Sequence, residues 1–220
     1  MNQAIRHYHD LADLLDYPDE GFSDKIKLTQ QFLSKSYPHA SVELEPFASY
    51  MTSVGLLDQQ ELFIRSFDVQ SLTTLDVGYV IFGDDYKRGE LLVNLNREHK
   101  AVQNDCGNEL ADYLPNVLRL LPKIHDDSFL LEFVEKILVP ALQSMIRAFA
   151  KEEVVKKEAF FIKKYKTIID RPTDQYCVYQ HALKALYITL KSDFNFHVAE
   201  APEKQSDFLR NISTEIILED

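Results

Sequence analysis

Apolar residues recur at helical spacing along nearly the whole chain. The first run predicts a helix from about Ala4 to Leu15, stopped near Tyr17-Pro18. A second run predicts a helix from about Ser23 to Lys35, with Ile26, Phe32 and Leu33 facing inward. Pro38 then breaks the chain. A third helix is expected over about Val42 to Val54, with Gly55 as its C-cap. Asp58 is the expected cap of the next helix, which carries Leu62, Phe63 and Phe67. In SLTTLDVGYVIFG, Leu72, Leu75, Tyr79 and Phe82 share one helical face, and Gly83 ends the run. Asp84-Asp85 can cap a helix from about Tyr86 to Val102, with Leu91, Leu92, Leu95 and Val102 inward.

The stretch NELADYLPNVLRLLP places Glu109 and Asp112 three residues apart, just ahead of an apolar helix pattern. Asp112 reads as its N-cap, with Pro115 in the first turn, where proline removes no helical hydrogen bond. Leu114, Val117, Leu118 and Leu121 follow at helical spacing, and Pro122 closes the helix. A longer pattern after Asp126-Asp127 runs through Leu130, Phe133, Val134, Ile137, Ala141, Met145 and Phe149. Pro140 interrupts it, so a kink or two consecutive helices are expected. Lys151 to Lys166 reads as a locally basic helix, with six Lys against three Glu. A last long helix is expected from about Asp174 to Leu190, with Tyr179, Leu183, Leu186 and Leu190 inward. No alternating strand pattern of useful length is present. The expected fold is an all-α bundle, one domain over residues 1–192. A polar linker and tail over 193–220 would carry a short helix near Phe208–Ile217.

Charge narrows the choice of partner. The chain of 220 residues has a net charge of −11. An acidic surface disfavours nucleic acid and anionic membrane and suits a basic partner. The two cysteines, Cys106 and Cys177, lie far apart and make neither a disulfide scaffold nor a zinc pattern. A reducing compartment, the cytoplasm, is expected. MNQAIRHYHDLADLL holds no apolar core of a signal peptide, and no run reaches the roughly 18 apolar residues of a membrane span.

Catalytic signatures are missing: there is no HExxH, GxxxxGK[ST], GxSxG or GxGxxG. His7 and His9, two apart on a helix, point to different faces and read as ordinary surface histidines. His99 lies near Leu95 and Val102 and reads as a packed or half-exposed histidine rather than a ligand. Glu109 and Asp112 admit three readings. They could be a cap, an acid–base pair needing unequal pKa values, or the acidic lip of a groove that takes a basic, partly apolar peptide. A helical enzyme using Glu109, Asp112 or His99 is thus one class of function, and a peptide-binding module is another.

Three pieces of the chain resemble the NarJ/TorD/DmsD family of molybdoenzyme maturation chaperones. The first is Glu61-Leu62-Phe63 to Phe67-Asp68, similar to an aromatic segment of that family. The second is Tyr79-Val80-Ile81-Phe82-Gly83 with Lys87-Arg88-Gly89, similar to a region of the nitrate-reductase branch. The third is Glu109-Leu110-Ala111-Asp112-Tyr113-Leu114-Pro115, which resembles the family's E-x-P-D-H-L-P. Ala111 stands for the family's proline and Tyr113 for its histidine; a phenol keeps a hydrogen-bond donor and adds aromatic area. The likeness covers roughly residues 8–145.

The resemblance implies a cytoplasmic, non-catalytic, all-helical chaperone without cofactor or metal of its own. Its partner would be the apo catalytic subunit of a molybdopterin oxidoreductase, held by its N-terminal twin-arginine signal or the remnant of one while the cofactor is inserted. Proteins of molybdenum-cofactor biosynthesis would be further partners. A stable adaptor subunit of an anaerobic oxidoreductase is the alternative. The residue pattern suits a ligand that is basic at one end and apolar beyond. Acids at Asp84, Asp85, Glu109 and Asp112 accompany apolar and aromatic positions at Phe63, Phe67, Tyr79, Phe82, Tyr113, Leu114 and Pro115.

Overall fold

A computed structural model describes residues 5–69, 71–150, 153–155 and 177–196. The described residues form helices α1 (Tyr8–Asp13), α2 (Phe22–Ser36), α3 (Pro38–Ser53), α4 (Leu56–Phe67), α5 (Val77–Phe82), α6 (Tyr86–Ala101), α7 (Leu114–Leu120), α8 (Asp127–Phe133), α9 (Val139–Ala148) and α10 (Val178–Phe194). Short 3-10 and π turns cover Leu121–Lys123 and Val134–Leu138. The expected all-α class is observed. The expected basic helix lies outside the described residues except for 153–155, which are helical, and so does the expected helix near 208–217.

The helices form because each presents one apolar stripe. In α2, Phe22, Ile26 and Leu33 fall on one face and are buried. On α10, Tyr179, Leu183, Leu186 and Leu190 are buried, and this helix packs chiefly on α3 and also on α9. An aromatic cluster sits between them. Tyr179 meets Phe47 at 5.2 Å and Phe67 at 4.9 Å, Phe63 meets Phe67 at 5.3 Å, and Phe149 meets Phe67 at 6.2 Å. Edge-on geometry adds about 0.5–1.5 kcal/mol per pair beyond burial. Phe63 and Phe67, expected in a binding groove, are therefore core residues, because the rings of Tyr17, Tyr179 and Phe149 pack on them and both are buried.

Helix ends differ from the sequence reading at several prolines and glycines. Pro38 starts α3 rather than breaking the chain ahead of it, since a first-turn proline gives up no bond. Gly55 is extended (φ −74°, ψ 165°) and opens α4 instead of ending α3. Asp58 consequently lies inside the first turn of α4, not at its cap. Pro140 falls at the start of α9, directly after the π turn, whose wider winding carries the chain past a residue with no N–H. Leu91, Leu92 and Val102 are only partly buried beside the core, whereas Leu95 is buried.

Leu72 and Leu75 are buried as expected but are not helical. Residues 71–76 run without helix to an isolated antiparallel bridge between Asp76 and Tyr113. There the Val77 N–H donates to the Asp112 carbonyl at 2.9 Å and the Leu114 N–H donates to the Leu75 carbonyl at 2.8 Å. The pairing clamps the start of α5 to the start of α7.

The end of α10 is tied to the front of the chain. Asp193 accepts from Tyr8 at 2.8 Å and Tyr37 at 2.7 Å, and pairs with His7 Nε2 at 2.9 Å. His7 is buried among Tyr8, Phe32 and Tyr37, so it is not a surface histidine. His9 is half-buried, and its Nε2 is buried with no partner. Helix α10 runs through Phe194, Asn195 turns left-handed, and Phe196 is buried against Tyr187.

Candidate functional site

The connection from α6 to α7 is irregular, and buried amides fix its shape. His99 is buried; its Nε2 donates to the Ala111 carbonyl at 3.0 Å, and its Nδ1 accepts from Asn104 Nδ2 at 2.9 Å. Burial lowers the His99 pKa, in keeping with the neutral tautomer these bonds require. Asn116 Nδ2 donates to the carbonyls of Cys106 at 3.2 Å and Leu110 at 3.1 Å, and Lys123 Nζ donates to Asn104 Oδ1 at 2.6 Å. His99 is packed, as its neighbours in sequence implied.

On the outer side of this connection lies an open depression of about 410 Å³, lined by Asp16, Asp105, Cys106, Gly107, Asn108, Glu109, Tyr113, Asn116 and Arg119. Arg119 bonds Asp13 and Asp16, which join α7 to the end of α1 and the residues after it. Tyr113 is half-buried and donates to the Leu15 carbonyl at 3.3 Å. Its phenol is pushed well above the ordinary value by burial, with Asp16 and Glu109 adding to the effect. Burial and then Asp105 raise the Cys106 thiol, which stays protonated at neutral pH and is a poor nucleophile. Four carboxylates, Asp13, Asp16, Asp105 and Glu109, thus accompany one guanidinium. The site is suited to holding a cationic group.

Asp112 faces the other way. It is fully buried and is not the cap of α7; Tyr113 takes that position. Its backbone is spent on the bridge to Asp76 and Val77, so its carboxylate turns under α5. There Arg88 Nε donates to Asp112 Oδ2 at 3.1 Å, and Arg88 Nη2 donates to Asp76 Oδ2 at 3.0 Å. The Arg88 guanidinium lies 5.2 Å from the centre of the Tyr79 ring. Asp112 Oδ1 is buried without a partner. The Asp76 carboxyl is raised by burial and by Asp112, against the pull of Arg88. Gly78 leaves no free space here: a Cβ would stand 2.7 Å from Asp112 Oδ2 and 3.0 Å from Leu91 Cδ2, so either side chain would have to shift.

Glu109 and Asp112 therefore form neither an acid–base pair nor a common lip: the first is exposed on the depression and the second is interior. Leu114 and Pro115 are buried at the start of α7 and present no surface to a ligand. Tyr79 is exposed beside Arg88 and Phe82 is half-buried. Asp84 and Asp85 are exposed in the turn between α5 and α6, and Asp85 caps α6 by accepting from the Lys87 N–H at 2.9 Å. Sequence reasoning missed Asp16, Asp105, Asn116, Arg119, Asp76 and Arg88. A polar Asn116 and Arg119 inside an otherwise apolar helix were the available signal.

Among the described residues no group of three His, Cys, Asp or Glu is arranged to hold a metal ion, and no helix is long and apolar enough to cross a membrane. No protein-family model matches this chain, and no curated protein matches it significantly.

Proposed function

We propose that the chain is a cytoplasmic maturation chaperone of the NarJ/TorD type. It binds the basic N-terminal segment, a twin-arginine signal or its remnant, of a molybdopterin oxidoreductase catalytic subunit, and it holds the apo-subunit while the cofactor is inserted. The observation that carries this reading is the carboxylate-lined depression built by Asp16 and residues between 105 and 119, among them Glu109 and Tyr113 of the segment 109–115 that resembles the family. Asp13 and Asp16 are already engaged by Arg119, whereas Asp105 and Glu109 are exposed and, among the described residues, pair with no cation. Leu110 and Tyr17, beside Glu109 and Asp16 in the chain, are exposed apolar neighbours for the part of the segment that follows the arginines. A guanidinium paired with such an exposed carboxylate contributes about 0.2–1 kcal/mol. The net charge of −11 steers a cationic segment inward at low salt.

The test is binding of a labelled peptide carrying that N-terminal sequence, followed by fluorescence anisotropy. The double variant Asp105→Lys, Glu109→Lys should lose about tenfold or more in affinity, and salt should weaken the wild type more than the variant. Equal affinity for both proteins would place binding elsewhere. No binding of the peptide by wild type would remove the reading itself.

A further inference from the structure

The corner between α5 and α6 holds two carboxylates and one cation. Arg88 meets Asp112 along its Nε edge and Asp76 through Nη2, with the Tyr79 ring on its face. A planar fork with acceptors on its edge and an aromatic on its face is the arrangement that distinguishes arginine from lysine. The arrangement is also incomplete, because Asp112 is fully buried and its Oδ1 has no partner. Nor is it sealed: the Asp76 side chain is 29% exposed and that of Arg88 18%.

Arg88 stands in the first turn of α6, which is held through Asp85: its carboxylate accepts from the Lys87 N–H at 2.9 Å and its carbonyl from the Arg88 N–H at 3.0 Å. The next residue, Gly89, is exposed, and a Cβ there would meet nothing. Packing does not require that glycine, and it weakens the turn relative to any other residue but proline. Across the bridge, Tyr113 lines the carboxylate depression while the adjoining Asp112 lines the corner. Tyr113 and Asp112 turn to opposite sides of this stretch, so an arginine enters the corner past the part-exposed Asp76 and Arg88 side chains.

We propose that Asp76, Asp112 and Tyr79 form an arginine socket that Arg88 fills from within, and that an arginine of a bound basic segment takes Arg88's place. Charge is conserved in the exchange, since one guanidinium leaves as another enters. What changes is the first turn of α6, which is released when Arg88 departs. This inference rests on the peptide-binding reading for the identity of the incoming arginine, but the socket itself is testable without a peptide.

The first experiment measures the melting temperature of Arg88→Ala in millimolar guanidinium chloride, against methylammonium chloride at equal ionic strength. Guanidinium should raise the Tm of Arg88→Ala saturably, methylammonium should not, and wild type should respond to neither. An Arg88→Ala protein that ignores guanidinium, or that responds as wild type does, overturns the socket. A second measurement stays clear of any folding failure of that variant. Changing the peptide's arginines to lysines should cost wild type about tenfold in affinity and cost Asp76→Asn far less. Equal losses in both proteins overturn the exchange. If guanidinium rescues Arg88→Ala while wild type binds no basic peptide, the socket stands and the chaperone reading falls.

Discussion

Two polar clusters in this molecule are built around carboxylates and tyrosines and solve opposite problems. At the end of α10, one carboxylate, Asp193, receives His7, Tyr8 and Tyr37. At the α5–α6 corner, two carboxylates share Arg88, and one buried oxygen is left over. The first cluster has every donor aimed at one acceptor, and burial then strengthens each bond. Although burial alone would raise Asp193, the donors from His7, Tyr37 and Tyr8 hold it below the ordinary value. In the second cluster, burial and Asp112 leave Asp76 above its ordinary value. A saturated cluster fastens the end of α10 to α1 and to the start of α3, whereas an undersaturated one keeps a site in which one cation can be exchanged for another.

Asp193→Ala breaks this comparison hardest. It strands two tyrosine hydroxyls and a buried imidazole, and should cost about 3 kcal/mol or more. For a chain of this size that lowers Tm by roughly 6–12 °C in thermal unfolding. Asp193→Asn keeps acceptor capacity and should lose less. Gly78→Ala comes next: its Cβ would press on Asp112, Leu91 and Arg88, at about 1–3 kcal/mol by denaturant titration. A cost near zero would mean that α5 does not sit tightly on Asp112, Leu91 and Arg88.

The pH dependence should separate the two clusters with opposite signs. Asp193 has a folded pKa below the ordinary 3.8, so its contribution is fully present above that pH and is lost as pH falls through the lower folded value. Asp76 has a folded pKa above 3.8, so its ionised form opposes folding, and stability recovers as pH falls through the folded value toward 3.8. Asp193→Asn should therefore flatten the loss of stability below about pH 4, and Asp76→Asn should remove a gain on acidification above it. The smallest stability effect belongs to the exposed acids of the depression. Asp105→Lys with Glu109→Lys should stay within about 0.5 kcal/mol of wild type per site, so any loss of peptide binding reads as recognition.

Local periodicity made the helices and most of their buried faces legible, from Ile26 and Leu33 in α2 to Leu183 and Leu190 in α10. It failed where a distant contact overrides the local pattern. Leu72 and Leu75 fit a helical face, yet the strand-like bridge to Tyr113 pulls their segment out of helix. Asp112 fits a cap, yet the same bridge turns its side chain inward onto Arg88. The Arg119–Asp16 and Asp193–Tyr8 contacts join residues far apart in the chain, and nothing in a window of sequence encodes such a pair. Of the residues that line the depression, the sequence singled out Glu109, as an acid ahead of an apolar helix face, and Tyr113, through the family-like segment. The contacts of Asp76 and Arg88 with Asp112 and Tyr79 emerge only when the chain is folded.

The most direct measurement is capture of the tagged chain from anaerobically grown source cells, with its companions identified by mass spectrometry and assayed for molybdopterin. The account predicts a molybdopterin oxidoreductase catalytic subunit, captured mainly without cofactor and lost when Asp105 and Glu109 are both changed to lysine. Capture of the same subunit fully loaded and in fixed stoichiometry would contradict a chaperone and indicate a resident subunit. Its absence from cells that are making such an enzyme would contradict the proposed partner altogether.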